Sequence, residues 1–314
     1  MGRWKYGLAT LWLAAALSAA CSQAVPPAPT AVAVPSTTPS PAPSPTQTAP
    51  PTATVSPRPS PTFPPPVYPY ISLPGMDRLG RICQAGRQAG MRGGVFTKVG
   101  DSITANGMFL VPFGSDGYDL GEYGYLQAAI DFFSQETARE SNSFANDSLA
   151  ARTSWRAEHV LDPAKNRPPC RDGESPLLCE YRIVRPAVAV ILLGTNDAMA
   201  PTGSYRASMR TIISLTLERG IIPVITTLPV LEGKDTEPYN AFLRDLARDW
   251  DVPLIDLSAA LAPLPHHGLG PDGIHLSWVD PGVIKPWHLN FGMTVRNLLT
   301  LQALDAVWRS YPPG

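Results

Sequence analysis

The sequence predicts an α/β domain in which helices cover both faces of a mostly parallel, five-stranded sheet. After residue 67, strand-like and helix-like segments alternate along the chain, which is typical of parallel strands joined by helices. The segment 187–193 is short, continuously apolar and rich in β-branched residues, as expected for a strand buried on both faces. Together these observations favour one domain with a single large core.

The individual elements follow from the spacing of apolar residues. Segments with strand character are residues 95–99, 187–193, 221–227 and 252–255, and residues 141–145 are assigned as the fifth strand. Helical spacing predicts helices over residues 123–140, 205–219, 239–250 and 290–308, the last of them amphipathic. Gly220 is expected to end the second of these helices.

The first 21 residues have the features of a secretory signal. Arg3 and Lys5 precede a short apolar run, and small residues lie directly before Cys21. The run is shorter than the roughly 20 residues that a membrane-spanning helix needs. Because the pattern resembles a bacterial lipobox, we expect Cys21 to be lipidated and to anchor the protein on the outer face of a membrane. The alternative is secretion after cleavage nearby.

The next segment, residues 22–67, is predicted to be a disordered tether. It consists mostly of Pro, Ala, Ser, Thr and Val, carries Arg58 as its only charge, and lacks the apolar periodicity of a packed core. The third segment, residues 68–314, is the predicted folded domain. The formal net charge of -1 at pH 7 gives no reason to expect a nucleic acid as partner.

The cysteines of the domain indicate a disulfide rather than a metal site. Cys170 and Cys179 flank a loop rich in charge and proline, and an exported protein can keep such a pair oxidised. Cys83 is expected to remain a buried thiol. A metal centre is disfavoured because no Cys-x-x-Cys pair is present and the adjacent His266 and His267 usually point apart.

Three polar clusters stand out in the domain. Ser102 ends a Gly-Asp-Ser turn after the first strand, Asn196 belongs to a Gly-Thr-Asn-Asp segment after strand 187–193, and Asp272 lies three residues before His275 in a loop. The carboxyl ends of parallel strands share one rim, so Ser102 and Asn196 are expected to be neighbours. Asp272 can curl round to His275 Nδ1, which would leave Nε2 free to accept the serine proton.

Each cluster alone also fits a structural role. The Gly-Asp-Ser and Thr-Asn-Asp segments can be turns or helix caps, and Asp272 can be a turn former beside a surface His275. The combination of serine, asparagine and Asp-x-x-His in this order nevertheless favours a nucleophile, a base and the group that orients the base.

With these motifs the chain resembles the GDSL or SGNH hydrolases. The resemblance covers residues 95–308, and it implies a three-layer α/β/α sandwich with a flavodoxin-like sheet. It also implies that Ser102 is the nucleophile, His275 the base, Asp272 its partner and Asn196 an oxyanion-hole donor through its side-chain amide. The Gly-x-Ser-x-Gly elbow of α/β-hydrolases is absent, since Thr104 stands where its second glycine would be.

The second motif of that family departs from the usual pattern. Ala151 falls where the family has a glycine whose N–H completes the oxyanion hole, and the neighbouring Arg152 is the alternative. A backbone donor does not require glycine unless its φ is positive. We therefore expect the Ser102 N–H, Asn196 and Ala151 to form the oxyanion hole.

The function that the resemblance implies is that of an exported serine esterase. It would transfer an acyl group to Ser102 and then to water, without a metal or organic cofactor. Aromatic residues after Ser102 and after His275, together with the long tether, favour an acetylated glycan as substrate. The alternatives are a lysophospholipase or another lipid or small-ester esterase and, from another class, a catalytically weak carbohydrate-binding module on the same fold.

Overall fold

The structure, a computed structural model, describes residues 69–201 and 203–311. Five strands form one sheet in the order β1-β5-β4-β3-β2. They are β1 Ile71–Ser72, β2 Arg92–Gly100, β3 Pro186–Leu192, β4 Ile222–Thr226 and β5 Leu254–Ile255. Strands β2 to β5 run parallel, and β1 pairs antiparallel with β5. The predicted α/β class with a mostly parallel five-stranded sheet is confirmed.

Helices cover both faces of the sheet, which makes the three layers of the sandwich. The helices of the described chain are α1 Met76–Gln88, α2 Gln127–Ser134, α3 Pro176–Val184, α4 Thr195–Met199, α5 Tyr205–Glu218, α6 Glu237–Trp250, α7 Leu257–Leu261 and α8 Gly292–Arg309. Successive residues of β2 reach opposite layers. The Phe96 ring packs against Phe133 of α2 at 5.5 Å, whereas Thr97 Oγ1 donates to Glu180 of α3.

The centre of the sheet is apolar because both of its faces are covered. All seven residues of β3 are buried, in agreement with its continuously apolar sequence. Buried strands cannot expose polar side chains along their length, so polar groups collect where the strands end. The carboxyl ends of β2 and β3 therefore carry the polar residues that the sequence singles out.

The predicted fifth strand is wrong. Residues 141–145 contain turns, with one isolated bridge between Thr137 and Asn142, and the fifth strand is β1, which precedes every strand that was predicted. Beyond β2, the segment around Ala151 makes only a single parallel bridge with Gly100. Residues 141–145 turn rather than extend, because Asn142 accepts the Ala145 N–H with its Oδ1 and the Asn146 N–H with its backbone carbonyl.

Two helix predictions also need correction. The helix predicted over residues 123–140 is a 3-10 helix, Gly121–Leu126, followed by α2, which ends at Ser134. Beyond this end, the carbonyls of Thr137 and Ala138 accept hydrogen bonds from the Arg92 guanidinium rather than from a continuing helix. Helix α8 is not amphipathic, since polar residues such as Asn297 and Asp305 are buried as completely as its leucines. Four helices were not predicted, namely α1, α3, α4 and α7.

The cysteine predictions are confirmed in the folded part. Cys170 and Cys179 form a disulfide, and Cys83 is a buried free thiol. The predicted signal, the lipidation site Cys21 and the tether of residues 22–67 lie outside the described residues. Within the described part of the chain, no helix is long and apolar enough to cross a membrane.

Candidate active site

The turn that carries Ser102 is held tightly at the end of β2. A side chain at Gly100 would place its Cβ 2.2 Å from Thr104 Oγ1 and 2.7 Å from the Leu192 carbonyl oxygen, so only glycine fits there. The Asp101 carbonyl accepts the N–H groups of Thr104 and Ala105 at 3.1 and 2.8 Å. These contacts leave Ser102 half-buried at the rim, directly after the strand.

The structure brings Ser102, His275 and Asp272 into one hydrogen-bonded line. His275 Nε2 lies 2.9 Å from Ser102 Oγ, and His275 Nδ1 lies 2.6 Å from Asp272 Oδ2. Ser102 and His275 are 173 residues apart in sequence, so this contact depends on the whole fold. The geometry is that of a hydroxyl whose proton an imidazole can take while a carboxylate fixes the imidazole tautomer.

Backbone N–H groups of its own loop hold the Asp272 carboxylate in place. Its Oδ1 accepts the backbone N–H groups of Ile274 and His275 at 3.0 and 2.9 Å. Burial raises the pKa of Asp272, but the hydrogen bonds from the His275 side chain, the His275 N–H and the Ile274 N–H outweigh burial and lower the pKa to about 2. The carboxylate is therefore ionised near neutral pH and can stabilise an imidazolium.

The side chain of Asn196 is oriented by a specific acceptor. One amide hydrogen of its Nδ2 is donated to the Trp155 carbonyl oxygen at 2.9 Å. A primary amide has a second N–H, for which the described residues offer no hydrogen-bond acceptor. Asn196 is the second residue of α4, and the N-cap position of this helix is Gly194. The helix-cap alternative for this segment is therefore wrong.

The backbone around Ala151 distinguishes it from Arg152 as a donor. Gly100 donates its N–H to the Ala150 carbonyl and accepts the Arg152 N–H, both at 3.1 Å. The Arg152 N–H is therefore occupied, whereas the Ala151 N–H points to the other side of this short extended segment. Ala151 is not among the residues with positive φ, so alanine can occupy this position without backbone strain.

A buried arginine from α8, which the sequence analysis missed, supports the Ser102 turn. Arg296 Nη1 donates to the Ile103 carbonyl at 2.7 Å, and Nη2 donates to Thr104 Oγ1 at 2.9 Å. Its guanidinium lies 3.6 Å from the centroid of the Phe109 ring. Burial lowers the pKa of Arg296 to about 9, and the charge of Asp101 opposes that change. Arg296 thus holds both residues that follow Ser102 in the turn.

Asp197 is a second residue whose role the sequence did not reveal. It is fully buried, and its Oδ2 accepts the Ala157 N–H at 3.1 Å. Burial raises the pKa of Asp197 to about 6, against the hydrogen bond from Ala157. Asn196 and Asp197 therefore bind the same segment, at Trp155 and Ala157, and connect the carboxyl end of β3 to the loop beside it.

Potential metal ligands in the described part of the chain do not lie at this site. The group of potential ligands that the described residues contain is Cys170, Glu174 and Cys179, whose ligand atoms are within 4.8 Å of one another. The two sulfurs are joined in the disulfide and are not thiolates, so the group lacks the donors that a soft metal ion prefers.

Comparisons with known proteins identify a matching family and similar solved structures. The model of a family described as GDSL-like lipase/acylhydrolase matches residues 99–278, which is more than half of the chain. Among solved structures, a GDSL-like lipase from Bacteroides thetaiotaomicron VPI-5482 is similar with a TM-score of 0.39 and 15% identity, over 74% of this chain and 99% of that chain. A catalytic mutant of an acetylxylan esterase from Geobacillus stearothermophilus gives a TM-score of 0.42 and 14% identity, over 67% of this chain and 93% of that chain. Among curated proteins, none matches this chain in sequence.

Proposed function

Since this chain belongs to the GDSL-like lipase/acylhydrolase family, we propose that it hydrolyses carboxylic esters through a covalent acyl-enzyme on Ser102. The observation that carries this proposal is the continuous hydrogen-bonded line from Ser102 Oγ through His275 to Asp272. A serine hydroxyl is a weak nucleophile by itself, and an imidazole at 2.9 Å supplies the general base that it needs.

The proposed reaction has two stages. Ser102 Oγ attacks the ester carbonyl carbon while its proton passes to His275 Nε2, and Asp272 stabilises the resulting imidazolium. The tetrahedral intermediate collapses, its C–O bond to the alcohol breaks, and His275 returns the proton to the leaving alcohol oxygen. A water molecule, deprotonated by His275, then attacks the acyl-enzyme and releases a carboxylic acid and free Ser102.

The negative oxygen of each intermediate needs hydrogen-bond donors near Ser102. We assign this role to the N–H of Ser102, the second amide N–H of Asn196 and the N–H of Ala151. Trp155 holds the Asn196 amide in place, so little reorganisation is needed when charge develops. Arg152 is excluded from the set because its N–H is donated to Gly100.

We further propose that the ester is an acetyl group on a glycan. Two tryptophans next to the His275 loop support this substrate. Trp278 and Trp287 expose 53% and 59% of their surface, among the largest exposed apolar side chains of the described residues. Trp278 directly follows Ser277, whose Oγ accepts the Gly292 N–H, and the Trp287 ring contacts Phe291, the residue before Gly292, at 5.1 Å. Exposed indole faces can stack on sugar rings, which are flat and apolar on one side.

The tyrosines near Ser102 support a glycan less well, because packing accounts for two of them. The Tyr118 ring packs on Phe113 at 5.4 Å, and the Tyr125 hydroxyl accepts a hydrogen bond from Gln302 of α8. Tyr125 is still 38% exposed, but Trp278 and Trp287 are more exposed and therefore offer the larger surface to a sugar.

The double variant Trp278→Ala, Trp287→Ala tests the glycan proposal. We expect its KM for acetylated xylan to rise about tenfold, because each aromatic contact contributes about 0.5 to 1.5 kcal/mol. Its kcat/KM for nitrophenyl acetate should stay near that of the wild type, since that ester is too small to reach both indoles. Steady-state kinetics on both substrates give the comparison.

Four other outcomes would contradict this substrate. An equal loss on xylan and on nitrophenyl acetate would mean that the tryptophans support the fold, and unchanged xylan kinetics would remove them from the binding surface. A strong preference of the wild type for long-chain nitrophenyl esters would favour the lipid-esterase alternative. Binding of acetylated xylan without release of acetate would favour the carbohydrate-binding module.

We also propose that the enzyme is exported and anchored on the outer face of a bacterial membrane through lipidated Cys21. The short apolar run before Cys21 and the proline-rich residues 22–67 support this location, and the Cys170–Cys179 disulfide is compatible with an oxidising compartment. In cells, Cys21→Ser should move the protein from the membrane fraction to the soluble fraction. A variant that stays with the membrane would rule out lipidation as the cause of anchoring.

A further inference from the structure

A concave site lies at the end of the sheet opposite to Ser102. We name it the arginine pocket. It has a volume of about 540 Å³, and its polar lining includes Arg171, Arg182, Arg185 and Arg219. Arg185 directly precedes β3 and Arg219 lies shortly before β4, so the pocket is at the amino ends of the strands. Ser102 and Asn196 follow the carboxyl ends, and a ligand in the arginine pocket would leave the hydrolytic site open.

The arginine pocket carries an excess of positive charge. Of its four guanidiniums, that of Arg182 is paired, through two hydrogen bonds of 2.7 Å to the Glu174 carboxylate. Arg219 Nη1 donates to a backbone carbonyl, that of Leu215, at 2.9 Å. Within residues 69–201 and 203–311, no carboxylate forms an ion pair with Arg171, Arg185 or Arg219.

This excess is local and is not a property of the whole chain. The protein has a formal net charge of -1, whereas the pocket lining contains four arginines against two acids, Asp172 and Glu174. Gathering like charges around one concavity costs free energy unless an anion neutralises them. Apolar atoms of Met91 and Leu178 also line the pocket, so a ligand with an uncharged portion would find a surface to pack on.

The backbone that presents these arginines is fixed in advance. The Cys170–Cys179 disulfide closes the loop that contains Arg171, and Asn166 Nδ2 donates to the carbonyls of Arg171 and Glu174, both at 2.9 Å. The N–H of Arg185 is donated to Tyr181 at 3.0 Å, and its carbonyl accepts the Arg92 N–H at 2.7 Å. A fixed backbone lowers the entropic cost of binding, as expected for a binding site.

We propose that the arginine pocket binds the phosphate groups of a small soluble ligand or of the end of a phosphorylated glycan. Planar guanidiniums match phosphate oxygens through paired N–H donors, and several arginines around one cavity are a typical arrangement for phosphate recognition. The volume of about 540 Å³ exceeds the size of one phosphate and lies in the range of small-molecule pockets, which are typically about 300 to 1,000 Å³. A diphosphate or a sugar phosphate therefore fits better than a single free phosphate.

The conformation of Arg185 permits an unusually clean test. Arg185 ends α3 in the left-handed region, with φ 49° and ψ 53°, where glycine is the preferred residue. Arg185→Gly therefore removes a guanidinium and relieves the backbone at the same time. Its thermal stability should be equal to that of the wild type or higher, so that weaker ligand binding could not be attributed to unfolding.

The experiment is a calorimetric titration of the whole protein with inorganic pyrophosphate at low ionic strength. We expect the wild type to bind, Arg185→Gly to bind more weakly, and the double variant Arg185→Gly, Arg219→Ala to bind at least about tenfold more weakly than the wild type, which corresponds to about 1.4 kcal/mol. The control variant Arg206→Ala, Arg210→Ala removes two arginines of α5 that stack on Phe242 outside the pocket, and it should bind as the wild type does. Hydrolysis of nitrophenyl acetate should be unchanged in both variants.

Three results would overturn the proposal. The first is no heat of binding from pyrophosphate, and the second is equal loss of binding in the control variant, which would indicate unspecific attraction to surface charge. The third tests a lipid as the source of phosphate: binding to phosphatidylglycerol vesicles without binding to pyrophosphate would make this surface a membrane contact and not a ligand pocket. None of these results depends on whether Ser102 is the nucleophile.

Discussion

Ser102→Ala should lower kcat for nitrophenyl acetate by about 10⁴-fold or more, because no other hydroxyl of the site contacts His275. The KM and the thermal unfolding midpoint should change little, since Ser102 is half-buried and its hydroxyl forms a hydrogen bond with the imidazole. Mass spectrometry of the wild type, quenched during turnover of a slow ester, should detect an acyl group on the peptide that contains Ser102.

The triad interpretation also requires that its members act as a unit. His275→Ala should reduce kcat about as much as Ser102→Ala, and the double variant should be no slower than either single variant. Independent roles would instead multiply the two losses. A Ser102→Ala protein with the wild-type rate would refute the acyl-enzyme, and the same comparison made with acetylated xylan would show whether both substrates use one site.

Arg296→Met should lower kcat by about 10- to 100-fold with little change in KM. The substitution removes the donors to Ile103 and Thr104 and so loosens the turn that aims Ser102 at His275, and a displacement of about 1 Å at a reacting group can cost about 100-fold in rate. Arg296→Lys should recover part of the loss, because an ammonium can reach one of the two acceptors. Arg309→Met, on the same helix but paired with Asp305, is the matched control.

The pH dependence of stability shows whether Arg296 acts through its charge or only through packing. Burial raises the pKa of Asp101, and the charge of Arg296 opposes this rise. A raised pKa means that the folded state holds its proton longer than the unfolded state, so stability from Asp101 is present at low pH and is lost as the pH rises above about 4. Without Arg296 that loss should be larger.

The gap in unfolding free energy between the wild type and Arg296→Met should therefore widen from pH 4 to pH 7. Burial and, less strongly, the charge of Asp101 raise the pKa of Asp197, an acid that is present in both proteins. Denaturant unfolding at several pH values measures the gap. A gap that is constant with pH, together with unchanged kcat, would reduce Arg296 to a packing residue.

The sequence predicts those residues of the site that lie close together in the chain or directly after a strand. Asp272 and His275 are three residues apart, and the loop between them is too short to separate their side chains. Ser102 and Asn196 follow directly from the rule that parallel strands end at one rim, because both come just after apolar runs. Ala151 follows from matching the chain to the second motif of the family, and backbone hydrogen bonds distinguish it from Arg152.

The unpredicted part depends on contacts between distant segments. Arg296 lies in a helix 192 residues beyond Thr104, and an arginine within a helical pattern normally indicates a solvent-facing side. The sequence offers a helix cap as the alternative for Asp197 and assigns it no other role, because its acceptor role requires the distant loop at Ala157. Strand β1 has two residues and follows a proline-rich segment, so neither alternation nor length could reveal it.

Strand β1 also determines where the folded domain can safely begin. Ile71 and Ser72 pair with Ile255 and Leu254, and the Tyr70 carbonyl accepts the Asp256 N–H at 2.8 Å. A chain that started after residue 72 would expose the unpaired N–H and C=O groups of β5 next to buried Leu254, which is the kind of open edge through which proteins associate. This two-residue strand thus shields the sheet from other chains, and the shortest well-behaved fragment of the enzyme must retain it.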